Sequence, residues 1–167
     1  QVAEIALTGN EETFLQKLQP HRQHIVVVFL DLIGFTAFAL SEEPEDLMQV
    51  LGEFNRTMGE LVWHYEGTLD RFTGDGMLIF FNDPIPVPDA ELRALKMTIA
   101  MRDAFEELGQ VWNRRGYELG CCWGVASGYA TIGVIGFEQR LDYTAMGTVT
   151  NLAARLCDAG ADTEILV

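Results

Sequence analysis

Residues 68–81 read Thr68-Leu69-Asp70-Arg71-Phe72-Thr73-Gly74-Asp75-Gly76-Met77-Leu78-Ile79-Phe80-Phe81. One apolar run enters Gly74-Asp75-Gly76 and a second leaves it. Glycine takes positive φ at little cost, so two glycines around one aspartate predict a tight hairpin turn. The Asp75 carboxylate is then carried at the tip of two buried strands. A second acid, Asp31, closes another apolar run, Ile25-Val26-Val27-Val28-Phe29-Leu30. That run has no alternation, which predicts a central strand buried on both faces. Two carboxylates at the ends of neighbouring central strands are a seat for divalent metal and a polyphosphate. Taken singly, each has a simpler account: Asp31 as a strand-end residue before the Gly34 turn, Asp75 as half of the commonest hairpin pair.

Outward from these strands the pattern changes to helical spacing. Leu47, Val50, Leu51, Phe54, Met58, Leu61, Val62 and Tyr65 form one face of a helix over about 45–65, which Gly67 ends. Asn82 to Pro88 holds three prolines and predicts a loop. Met97, Met101, Phe105, Leu108 and Trp112 form one face of a second helix over about 89–115, stopped by Gly116. Two strands, about 117–126 and 129–135, are predicted to join through Ser127-Gly128. Residues 142–146 lead into a helix over about 148–158, with Val149, Leu152, Ala153 and Leu156 as its buried stripe. Ile165-Leu166-Val167 begins a further strand. Paired strands interleaved with helices predict an α+β sandwich of the ferredoxin-like kind. Ahead of it, Val2, Ile5 and Ala6, then Phe14, Leu15 and Leu18, suggest short helical turns in a connector.

The 167 residues suffice for one domain with a full core. A net charge of −14 argues against nucleic acid or an anionic membrane as a main partner. It leaves a nucleotide open, because that charge can arrive already paired with a divalent cation. Cys121, Cys122 and Cys157 have no metal-ligand spacing and read as reduced thiols of a cytoplasmic protein. No apolar run approaches the roughly 18 residues of a membrane span, and no signal peptide is visible.

On the last helix, Asn151 and Arg155 lie four residues apart, so their side chains point the same way. An amide beside a guanidinium can hold a ribose and a phosphate, although the pair read alone is more simply a solvated helix face. Three segments then carry a family resemblance. Phe29-Leu30-Asp31-Leu32-Ile33-Gly34-Phe35-Thr36 resembles the first metal motif of class III nucleotidyl cyclases. Arg71-Phe72-Thr73-Gly74-Asp75-Gly76 is similar to their second. Tyr143 to Leu156 is similar to their segment for base recognition and transition-state binding. The match covers about residues 22–167, with the motifs in family order.

The resemblance implies conversion of ATP or GTP to the cyclic 3′,5′-monophosphate and pyrophosphate, at the interface of a homodimer. Asp31 and Asp75, helped by the Leu32 carbonyl, are implied to bind two Mg²⁺ or Mn²⁺ ions per site. The backbone of Phe35 and Thr36 is implied to lie against the phosphates. The partner subunit is implied to bring Arg71 and Thr144 to the base, Asn151 to the ribose and Arg155 to the α-phosphoryl group. Arg71 stands where the family usually has Lys, and Thr144 where Asp or Thr is common. Arg has only donors, which suits adenine N1 and not guanine N1–H, so ATP is the expected substrate. GTP is the alternative, and a degenerate regulatory module that binds nucleotide or only dimerises is another. Cys122 stands where some relatives have a phosphate-contacting Arg. The expected layout is a connector over 1–23, following an upstream sensory module, and a catalytic domain over 24–167. The domain's final hairpin and late phosphate-binding Lys are expected beyond position 167.

Overall fold

The computed structural model describes residues 19–137 and 140–167. The elements run β1 (His21–Ile33), α1 (Phe35–Ser41), α2 (Pro44–His64), β2 (Thr68–Phe72), β3 (Gly76–Phe81), α3 (Ala90–Arg115), β4 (Gly120–Phe137), β5 (Arg140–Met146), α4 (Thr148–Ala159) and β6 (Ile165–Leu166). They build the expected α+β sandwich. Five strands pair antiparallel in the order β2-β3-β1-β4-β5, and β6 joins β4 in parallel. The helical turns expected around Val2–Ala6 and Phe14–Leu18 lie outside the described residues.

β1 is central and buried on both faces, as its unbroken apolar run predicts. Val26, Val28, Leu30 and Leu32 belong to a core shared with α2 and α3. Ile25 and Val27 belong to a second core, shared with Val149 and Ala153 of α4. Asp31 follows the second set. It pairs with Gly76 of β3 on one side and with Cys122 of β4 on the other.

The predicted faces of α2 and α3 hold. Val50, Phe54, Met58 and Val62 are buried, with Leu47, Leu51, Leu61 and Tyr65 packed beside them. Met97, Met101, Phe105 and Trp112 are buried on α3. Phe105 meets Trp112 and Trp123 edge-on, with ring centroids 6.0 Å apart in both pairs, a favourable aromatic geometry. Arg114 and Arg115 sit in the last turn of α3 and Gly116 closes it at φ 90°, so charge and conformation both favour the stop.

Four expectations are corrected. Ser127-Gly128 is no turn: β4 runs unbroken from Gly120 to Phe137, and Ser127 and Gly128 pair with Val26 and Ile25 inside it. The return strand is β5, Arg140–Met146, which pairs back onto β4 from Phe137 to Thr131. The chain after Gly34 forms a seven-residue helix, α1, where a simple turn was expected. On α4, Leu152 is 50% exposed and Cys157 takes its place in the buried stripe.

The length of β4 sets up the rest. Its first part pairs with β1, its last part with β5, and the sheet curls between them. β2 and β5 are opposite ends of the strand order, yet Asp70 of β2 accepts hydrogen bonds from both Thr144 and Ala145 of β5. A second tie joins Tyr143 to Asp83, just past β3, and Asp83 also binds His21 Nε2 at 2.8 Å.

Candidate active site

The hairpin turn carries Asp75 as the sequence predicts, but β2 is mostly exposed where a buried strand was expected, and the two glycines serve different ends. Gly74 sits at φ 97°, the left-handed region. Gly76 does not; a Cβ there would lie 2.2 Å from the Leu30 carbonyl and 2.4 Å from Asp31 Oδ1. Its bare Cα lets the turn press against β1. The Leu32 N–H donates to the Asp75 carbonyl at 3.2 Å, and Thr73 N–H closes the turn onto Gly76 O at 3.0 Å.

Asp31 and Asp75 are thereby crowded together. Burial, the Asp75 charge and a hydrogen bond shared with Asp75 push the Asp31 carboxyl up to about 6. Two carboxylates held this close are relieved by a cation. Their oxygen chemistry fits a hard divalent ion such as Mg²⁺ or Mn²⁺. Among the described residues no group of three or more His, Cys, Asp or Glu side chains is placed to hold a metal. A site of two carboxylates and the Leu32 carbonyl leaves the other positions to water and phosphate oxygens, as magnesium prefers. Phe35 and Thr36 begin α1, whose first turn has no side-chain cap, so N–H groups there lack helical partners. The Phe35 ring packs on the core beside Phe38.

The second group lies on β2 and β5. The pairing of β2 with β3 slips between Leu69 and Arg71, making Asp70 the extra residue of a bulge. Bulges re-aim side chains, and here the Asp70 carboxylate, 2% exposed, forms an ion pair with Arg71 Nε at 3.2 Å. It also accepts from Thr144 Oγ1 at 2.9 Å and from Ala145 N at 3.0 Å. Arg71 Nη2 reaches Thr144 Oγ1 at 3.4 Å. The expected base-reading pair, Arg71 and Thr144, is thus brought together, and both line a cleft of about 670 Å³ with Phe72, Ile135 and Phe137. Asp70 went unnoticed in the sequence. Its one signal is a carboxylate beside Arg71 in an otherwise apolar strand.

The third group is Asn151 and Arg155. Both are exposed on α4 and line one cleft of about 420 Å³ with Tyr129 and Thr148. The nine expected residues therefore form three clusters. The carboxylates and the start of α1 make one, Arg71 and Thr144 another, and the α4 pair the last.

The sequence profile of the adenylate and guanylate cyclase catalytic domain matches residues 18–167. The chain belongs to this cyclase family. Among solved structures, the adenylyl cyclase CyaB from P. aeruginosa is 36% identical with a TM-score of 0.84, covering 89% of this chain and 78% of that one. The guanylyl cyclase Cya2 is 31% identical with a TM-score of 0.83, covering 87% and 75%. Adenylate cyclase 1 of Rhizobium meliloti (strain 1021) is 29% identical over 81% of this chain. The chain spans only 20% of that protein's length.

The cyclase domain's departure at Cys122 has a clear place. The residue is 5% exposed, directly across from Asp31, with its Sγ 2.8 Å from Cys157 Sγ of α4. It packs β4 against α4 and offers no cation to a phosphate. No helix among the described residues is long and apolar enough to cross a membrane.

Proposed function

We propose that this cyclase domain converts ATP to 3′,5′-cyclic AMP and pyrophosphate, with each active site shared by two copies of the chain. The observation that carries the reading is the Asp31–Asp75 pair: two acids pressed together on adjacent strands by a glycine that only close approach explains. Asp31, Asp75 and the Leu32 carbonyl would hold two Mg²⁺ or Mn²⁺ ions. Bound there, such ions acidify the ribose 3′-hydroxyl and neutralise the triphosphate.

The remaining work falls to the chain's own side chains. Phe35 and Thr36 offer backbone N–H groups to phosphate oxygens at the start of α1. Arg71 and Thr144 line a cleft with apolar walls that suits a purine. The Arg71 guanidinium donates, matching the adenine N1 acceptor. Asn151 orients the ribose, and Arg155 meets charge that builds on the α-phosphoryl group during in-line attack. A second copy is needed to bring the α4 and base-reading clusters to the carboxylates. Phe72, Phe137, Leu141 and Met146, each more than half exposed around one end of β2 and the β4–β5 arm, support a docking face for that copy. Residues 1–23 are read as a connector to an upstream sensory module, in a chain that spans only 20% of the Rhizobium relative's length.

The test supplies ATP and GTP separately with Mn²⁺ to the full-length protein and identifies the products by chromatography. Cyclic AMP as the main product, lost in Asp31→Ala and Asp75→Ala with unchanged circular dichroism, is the expected result. Cyclic GMP as the main product would reassign the substrate, in line with the likeness to Cya2. No product from either nucleotide would leave the domain a regulatory module.

A further inference from the structure

We infer that Asp70 is a positioning residue that sets base specificity by fixing the direction of the Thr144 hydroxyl. This rests on the reading of Arg71 and Thr144 as the pair that faces the base. The Asp70 side chain is 2% exposed, so it acts through its neighbours.

The inference follows from counting donors. Asp70 Oδ1 forms an ion pair with Arg71 Nε at 3.2 Å and Oδ2 accepts the Ala145 N–H. A guanidinium and a backbone amide can only donate, so both carboxylate oxygens are committed as acceptors. Thr144 Oγ1 lies 3.1 and 2.9 Å from those two oxygens. A hydroxyl has one proton, and this one goes to Asp70. Toward the cleft Thr144 then presents lone pairs alone. Arg71 Nη2 approaches one of them at 3.4 Å, which leaves acceptor capacity for a ligand. The Arg71 and Thr144 pair therefore shows a purine one donor and one acceptor. Adenine answers with N1 and its 6-amino group. Guanine sets O6 against the hydroxyl lone pair and N1–H against the guanidinium. Each mismatch leaves a polar atom unpaired.

The bulge makes this arrangement possible. An unbulged β2 would alternate Asp70 and Arg71 to opposite faces. With Asp70 as the extra residue, a single carboxylate reaches its neighbour's guanidinium and the opposite edge strand together.

Asp70→Asn tests it. The asparagine oxygen takes the Ala145 N–H, and the amide NH₂ then faces Thr144 as a donor. The hydroxyl turns its proton into the cleft, toward guanine O6. The expected result is a fall in the ATP-to-GTP ratio of kcat/KM by about tenfold or more, and no such shift when Asn is added to a Thr144→Val background. An equal loss for both nucleotides would make Asp70 only a structural support and overturn the inference. If Arg71→Glu and Thr144→Val both leave the ratio unmoved, the base-reading assignment itself fails. Should Asp70→Asn not fold, the native protein supplies the second test. Purine riboside 5′-triphosphate, which lacks the 6-amino group, should be a poorer substrate than ATP by about tenfold, and Thr144→Val should erase that difference. The same penalty in wild type and Thr144→Val overturns the inference.

Discussion

Arg155 stands exposed on α4, four residues from Asn151, and among the described residues it takes part in none of the ion pairs. A cation with no structural partner at a cleft is free to act on a ligand. Arg155→Ala should lower kcat by about 10²–10³-fold, roughly 3–4 kcal/mol, with KM changed much less. Steady-state kinetics separate this from a ground-state clamp, which would raise KM at constant kcat. At this scale the sequence marked the candidate residues more clearly than it explained them. Asp31, Asp75, Asn151 and Arg155 stand out by type and spacing. The need for Gly76 does not, because it depends on a β1 backbone far away in the chain. Asp70 was hidden for a related reason: its partners Thr144 and Ala145 meet it only once the sheet has curled.

The elements that hold the site are set by close contacts between backbones. Gly124 of β4 faces α4, and a Cβ there would lie 2.0 Å from the Ala153 carbonyl and 2.5 Å from the Cys157 nitrogen. Gly124→Ala should push α4 outward, cost about 1–3 kcal/mol in a denaturation experiment, and reduce activity further by displacing Asn151 and Arg155. The tie at the start of β1 should show in the pH dependence of stability. His21 binds Asp83, and that hydrogen bond, with the one to the Gln19 carbonyl, raises its pKa above the ordinary 6.5. Protonated His21 thus favours the fold: the stabilisation is full below about 6.5 and is lost as pH rises through the higher folded value. The melting temperature should fall between about pH 6 and pH 8 more in wild type than in His21→Gln. Helix periodicity and the apolar runs made most elements legible. The unbroken length of β4 was not, because Ser127-Gly128 has turn composition while its pairing with β1 and the packing of Val149 on Gly128 keep it extended.

In the whole molecule, the carboxylates, the Arg71 and Thr144 pair and the α4 pair occupy separate places on one chain, and exposed apolar side chains surround the β4–β5 arm. A second copy related by two-fold symmetry would bring complementary clusters together twice, giving two equivalent sites. That is the central claim, and mixing two inactive variants tests it most directly. Asp75→Ala and Asn151→Ala should each be inactive with ATP and Mn²⁺. Mixed in equal amounts and allowed to exchange subunits, they should recover up to about a quarter of wild-type activity, because half the dimers are mixed and each holds one intact site. No recovery, with subunit exchange demonstrated by labelled chains, would contradict a site shared between two copies.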